Sequence, residues 1–302
     1  MSVDHSKPNL SQSQAADIVK KHYKLTLSQL RTLPSYDDQN FCIETVEDCG
    51  YGLQKYLVRL LTYLPGIPIA NIPSSPQLLY EVGRTAANMD NVLNKMEHPQ
   101  LSALQRDGFI WSLSNIPLLL KYINVLDGDP LLEVVKSVLH QYKTVVAPQS
   151  SSFRTCLIHG DFNDLNVLVQ ADDSNGHKIS GIIDFGDMSF GYYVFELAIT
   201  IMYMMLEHPN PIEVGGPILA GWESVFPLNA AERDCLFWLV LSRLCQSLVI
   251  ARYSVTLHPE NEEYLMISSK KGIPILHKFF EMGKEQVEKV WFQSAAQFKD
   301  RN

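Results

Sequence analysis

Apolar side chains are arranged differently in the two parts of this chain. Through residue 64 they suggest short helices and strands; beyond it they recur mostly at helical spacing, interrupted by one group of short strands. Ser11 can cap a helix whose inner positions are Ala15, Ile18 and Val19. Leu25, Leu27 and Leu30 predict a strand, followed by a polar loop over 35–40. Residues 56–63, rich in Leu, Val and Tyr, predict a buried strand that Pro65 and Gly66 end. Ser75 before Pro76 marks a helix start, with Leu78, Leu79, Val82, Ala86, Met89 and Val92 on its apolar face. Further helices are predicted over 109–124, 131–143, 192–207, 231–253 and 273–296. Between them, 156–158, 167–169 and 179–183 read as strands, the last two joined by a polar turn over 171–177. The fold class is α+β.

Composition narrows this picture. At 302 residues, 46% hydrophobic and 19% charged, the chain suits one large domain or two lobes with real cores. A net charge of −8 argues against a nucleic-acid partner, which calls for a basic patch. Five cysteines without a C-x-x-C pair favour a reducing compartment over a disulfide framework or zinc site. The polar start MSVDHSKPNLSQSQ lacks a signal peptide's apolar core, and the apolar run over 192–206 contains Glu196 and is too short for a membrane span. The expectation is a cytoplasmic protein with no membrane partner.

The chemistry is concentrated between residues 156 and 198. His159, Gly160 and Asp161 follow the first strand, Asn166 precedes the second, and Asp184, Phe185 and Gly186 follow the third. Any one of these alone reads as a turn residue. In this order, at strand ends, they match the catalytic-loop and metal-binding pattern of phosphoryl transfer. Asp161 is the candidate catalytic residue that accepts or orients the proton of an attacking hydroxyl. Asn166 and Asp184 are the candidate ligands of Mg2+ on the nucleotide phosphates, since magnesium prefers oxygen donors.

Gly160 stands where eukaryotic protein kinases have Arg. Together with I-I-D-F-G-D at 182–187, it resembles the aminoglycoside phosphotransferase and choline kinase superfamily of small-molecule kinases. LPSYDDQNF at 33–41, YLVRLLTYLPG at 56–66 and DFGDMSFGYYVFE at 184–196 are similar to one branch. That branch transfers the γ-phosphate of GTP to the hydroxyl of 5-hydroxy-L-lysine, in lysine degradation. The resemblance implies a protein-kinase-like fold, with 1–64 a remnant of the nucleotide-binding small lobe and 65–302 a mainly helical catalytic large lobe. It implies that Ser35, Gln39 and Asn40 lie over the nucleotide phosphates, and that Thr62, Tyr63 and Leu64 form a hinge reading the purine. His159 would pack under the Asp-Phe-Gly segment, and Glu196 would tie its helix back to the catalytic loop. The partners implied are a purine nucleotide and a small-molecule amino acid, whose charges could meet Asp187, Glu223 or Arg243.

One departure matters. The resemblance calls for a strand bearing a phosphate-binding Lys and a helix bearing its Glu partner between the loop and the hinge. Only CIETVEDCGYGLQK, residues 42–55, lies there, too short for those elements. Neither role is assigned to Lys55, Glu44 or Glu47. The expectation is a kinase of doubtful activity. The alternatives are a catalytically silent variant, or a kinase for another amino alcohol such as choline.

Overall fold

A computed structural model describes residues 10–23, 27–33, 40–45, 61, 63–172 and 176–299. The chain divides into two compact units, Met1–Tyr63 and Leu64–Asn302. In the first, Ser11 starts α1 (Gln12–Tyr23) by accepting a hydrogen bond from the Gln14 N–H at 3.2 Å, and Ala15 and Val19 are buried. β1 (Leu27–Leu33) and β2 (Asn40–Thr45) pair antiparallel, from Leu33 opposite Asn40 to Leu27 opposite Thr45. Asn40 therefore opens a strand instead of closing a loop, because its backbone takes part in the pairing with Leu33. Ser35, Gln39 and Thr62 lie outside the described residues. The buried strand expected over 56–63 is not seen in its described members: Leu61 and Tyr63 are outside any strand and are 75% and 68% exposed. The other residues of 56–63 lie outside the described residues.

The second unit begins with β3 (Ile67–Pro68) and α2 (Pro76–Leu93). Ser75 caps α2, accepting from the Leu78 N–H at 3.2 Å, and Pro76 sits in the first turn, where its missing N–H leaves nothing unpaired. Leu78, Leu79, Val82 and Ala86 are buried, whereas Val92, in the last turn, is exposed. The helix expected over 109–124 is instead two 3-10 segments, Leu113–Lys121 and Ile123–Leu126; Pro117 removes one N–H from any α ladder there. α3 (Leu131–Gln141) runs through a π turn into α4 (Ala147–Gln149). β4 (Thr155–Ile158), β5 (Val167–Ala171) and β6 (His177–Ile182) follow, then β7 (Ser189–Tyr192). β5 and β6 form a hairpin that β3 extends, while β4 pairs with β7. β7 has no alternating pattern in its four residues, SFGY, and is legible only from its partner.

The remaining chain is helical: α5 (Tyr193–Leu206), α6 (Pro211–Glu223), α7 (Ala230–Leu257), α8 (Glu262–Leu265) and α9 (Ile267–Lys299), the last broken at Gly283. Every residue of α5 is buried, Met202, Met204 and Met205 included. α6 lies in a stretch for which no element was expected. Its glycines serve close packing: a Cβ on Gly221 would lie 1.9 Å from the Tyr80 carbonyl oxygen of α2, and one on Gly83 would lie 2.0 Å from that of Ile218. α7 is long and apolar enough to cross a membrane, but 89% of its most apolar window is buried inside the fold, as in a core helix. Its start is fixed by a capping box between Asn229 and Glu232. The buried Glu232 also accepts hydrogen bonds from the Arg154 N–H and Nε, both at 3.0 Å, joining α7 to the start of β4.

Candidate active site

The loop 159–166 leaves β4 and enters β5, and Asn163 shapes it. Its Oδ1 accepts the N–H groups of Leu165 and Asn166, both at 2.9 Å, an Asx-type turn. Its Nδ2 donates to Asp161 Oδ2 at 2.8 Å, and Asn166 Nδ2 donates to the same oxygen at 3.1 Å. Arg243 of α7 donates from Nη2 to Asp161 Oδ1 at 3.0 Å. Three donors thus fix both carboxylate oxygens, while the Asp161 side chain remains 24% exposed.

Arg243 is only 1% exposed and is held in turn. Its Nη1 donates to the Trp111 carbonyl at 2.8 Å and to Gln246 Oε1 at 3.1 Å. The guanidinium lies 5.1 Å from the Trp111 ring centroid and 5.3 Å from that of Tyr203, within cation–π range. Arg243 is therefore occupied as a clamp on Asp161, not open to a substrate as the sequence suggested. Glu223 is engaged by Arg233.

Asn166 and Asp184 meet through the hairpin. Val167 pairs with Ile182, and the Ile183 N–H donates to the Asn166 carbonyl at 3.0 Å, so the residue after Ile183 emerges beside Asn166. Asp184 has φ 61 and ψ 69, the left-handed region that Asp tolerates better than most residues, and its Oδ1 accepts from the Gly186 N–H at 3.2 Å. Among the described residues, Asn166 Oδ1 and Asp184 Oδ2 accept no hydrogen bond. A carboxamide oxygen and a carboxylate oxygen left open at one strand junction fit Mg2+, which shares its shell with phosphate oxygens and waters.

The turn after Asp184 presses on the loop. Gly160 has φ +80, and a Cβ there would lie 2.7 Å from the Asp187 carbonyl oxygen, so only glycine fits. The Asp187 carboxyl is pushed up to about 7, first by burial and then by the Asp161 charge. His159 is fully buried, donates from Nε2 to the Ile183 carbonyl at 3.0 Å, and lies 4.6 Å from the Phe185 ring. Glu196 Oε2 accepts from the Gly160 N–H at 3.0 Å. Both placements match the sequence expectation.

Asp90 of α2 was missed. It is fully buried, Cys156 Sγ lies 4.0 Å from its Oδ2, and neither its Oδ1 nor Glu196 Oε1 has a hydrogen-bond partner among the described residues. Burial raises the Asp90 carboxyl well above its usual range, with Glu196 adding to it, and burial raises Glu196 as well. Two neighbouring buried carboxyls are tolerated when one keeps its proton. The native state then holds more protons than the unfolded chain above about pH 4. This contribution to stability is present below the unfolded values and is lost as pH rises through the raised ones. Asp90→Asn should flatten the fall of unfolding free energy as pH rises above the unfolded carboxylate value of about 4, read by urea titration; an unchanged slope would show that Asp90 holds no such proton.

Of the residues expected at the nucleotide, Asn40 stands at the start of β2 and Tyr63 is exposed, both in the first unit. Leu64 belongs to the second, where its Cδ1 would lie 2.9 Å from a Cβ on Gly181. Sequence reasoning overlooked Asn163 and Asp90 and gave Arg243 another role. Asp90 had a signal: it continues the apolar face of Leu79, Val82 and Ala86 at helical spacing, where a carboxyl is out of place.

A family model described as "Phosphotransferase enzyme family" matches residues 40–235. The chain belongs to the phosphotransferase enzyme family. A hydroxylysine kinase from Danio rerio is 52% identical over 353 residues, covering 99% of this chain and 99% of the relative. One from Bos taurus is 44% identical, covering 97% and 96%. Both matched spans exceed the 302 residues of this chain, so the relatives carry positions without a counterpart here. A choline kinase structure from Cryptosporidium parvum superimposes with a TM-score of 0.50 at 11% identity, covering 74% of this chain and 71% of that one, and shows the protein-kinase-like fold. In this phosphotransferase the first unit has one helix and two strands among the described residues, and the second unit is mainly helical.

Proposed function

We propose that this chain is a cytoplasmic kinase that uses GTP to phosphorylate the hydroxyl of 5-hydroxy-L-lysine, in a form whose transfer is slow. The observation that carries this reading is Asp161, fixed by three donors and hydrogen-bonded to Asn166, with Asp184 emerging alongside. The named activity of the 52%-identical relative supports the acceptor. Asp161 takes a hydrogen bond from the acceptor hydroxyl and receives its proton as the oxygen–phosphorus bond forms. The bond from the γ-phosphorus to the bridging oxygen breaks, and GDP leaves. Asn166 Oδ1 and the Asp184 carboxylate would hold Mg2+, which when bound neutralises charge on the phosphates. Because phosphoryl transfer asks little covalent chemistry of the protein, the work of these side chains is positioning. Asn40, Tyr63 and Leu64, with Ser35, Gln39 and Thr62, are the proposed nucleotide contacts, and Met1–Leu64 is the proposed remnant of the small lobe.

Transfer is slow because the interval 42–55 has no room for the Lys strand and Glu helix. Loss of one preorganised electrostatic contact lowers the rate about 10²–10³-fold. Inserting into 42–55 the segment of the Danio rerio relative that lacks a counterpart here should raise GTP-dependent phosphorylation of 5-hydroxylysine at least about a hundredfold. Equal rates for the two forms would contradict the slow-transfer claim, and no product from either would contradict the kinase reading.

A further inference from the structure

Arg106 contacts the turn that carries Gly186 and Asp187, just after Asp184, and the phosphoryl-transfer pattern assigns Arg106 nothing. Arg106 reaches over from the irregular segment after α2. Its Nη1 donates to the Gly186 carbonyl at 2.9 Å and lies 3.7 Å from Asp187 Oδ1. Its guanidinium lies 3.4 Å above the Phe109 ring, which fixes the plane of the fork. Nη2 and Nε make no hydrogen bond among the described residues, so the outer edge of the fork is open.

Asp187 is half-buried, and its carboxylate accepts no hydrogen bond among the described residues. The charges of Asp161 and Asp184 act on it to hold its proton, and those of Arg243 and Arg106 act to release it. A half-buried carboxylate without a donor, two carboxylates nearby and one guanidinium edge to spare make an electrostatic pattern with two ends. Asp187 is its negative end and the open edge of Arg106 its positive end. A ligand carrying only an ammonium would use one end; a zwitterion uses both.

We propose that Arg106 and Asp187 form the subsite selecting a zwitterionic amino acid as phosphate acceptor. Asp187 takes an ammonium group, the open edge of Arg106 takes the carboxylate in a two-pronged contact, and the hydroxyl then reaches Asp161. Arg favours this arrangement over Lys because the planar fork matches a carboxylate. The inference rests on the kinase reading above and adds what distinguishes an amino acid from a plain amino alcohol.

Calorimetric titration of the full chain with 5-hydroxylysine and with its decarboxylated analogue, 1,5-diamino-2-pentanol, tests it without requiring turnover. The wild type should bind the amino acid at least about tenfold more tightly than the analogue, the worth of a charge-assisted contact. Arg106→Gln should weaken binding of the amino acid to the level of the analogue and leave the analogue's affinity unchanged. Arg106→Lys, which keeps the charge without the fork, should restore only part of the difference. Equal affinities in the wild type, or an equal loss for both ligands in Arg106→Gln, would overturn the subsite while leaving an amino-alcohol kinase in place. Binding of neither ligand to the wild type would overturn the subsite and the kinase reading together.

Discussion

Asp161→Asn should lower phosphoryl transfer by about 10²–10⁴-fold, the usual contribution of a positioned general base. The substitution keeps size and shape but removes the group that receives the hydroxyl proton. It also creates a conflict. Asp161 Oδ2 accepts from the amides of Asn163 and Asn166, while Oδ1 accepts from Arg243. Whichever way the new carboxamide turns, its NH2 faces a donor, so a loss of about 1–3 kcal/mol in stability accompanies the loss of rate. The form with the restored segment gives the largest starting rate for this comparison. A nucleotide-induced thermal shift of wild-type size in the variant would separate lost chemistry from lost binding.

Arg243→Met is expected to have the largest effect on stability. The guanidinium is 1% exposed, and its removal takes one donor each from the Trp111 carbonyl, Gln246 Oε1 and Asp161 Oδ1. Breaking a fully buried ion pair costs about 3–5 kcal/mol. Asp161 is 24% exposed and can be hydrated once released, so about 2–4 kcal/mol is the appropriate expectation, read from the urea midpoint. Transfer should fall on the order of a hundredfold as well, because a displacement of about 1 Å in a positioned group suffices for that. Arg243→Lys should recover little of either, since one ammonium cannot serve the carboxylate, the Trp111 carbonyl and Gln246 together. Wild-type transfer in Arg243→Met would show that the amides of Asn163 and Asn166 orient Asp161 unaided.

What the sequence made legible was local. Ser75 with Pro76 and Ser11 announced helix starts, and the loop from His159 to Asn166 was readable because Asp, Asn and Gly shape turns through their own backbone. What stayed hidden depends on partners far along the chain. α6 contains residues that normally break helices, and they make sense only against Tyr80 and Trp291. β7 exists because β4 pairs with it. Arg106 is 80 residues from Gly186 and Arg243 is 82 from Asp161, separations over which no spacing rule operates. Arg243 did leave a trace, a charge amid the buried residues of α7, but that trace marks only a satisfied position and not what satisfies it.

The most direct test follows transfer of labelled γ-phosphate from GTP to 5-hydroxylysine in the segment-restored form and in Asp161→Asn, Asn166→Ala, Asp184→Asn and the triple variant. If the three side chains work as one centre, each single change should remove most of the transfer, and the triple variant should be little worse than Asp161→Asn alone. Wild-type transfer in any single variant would contradict the account.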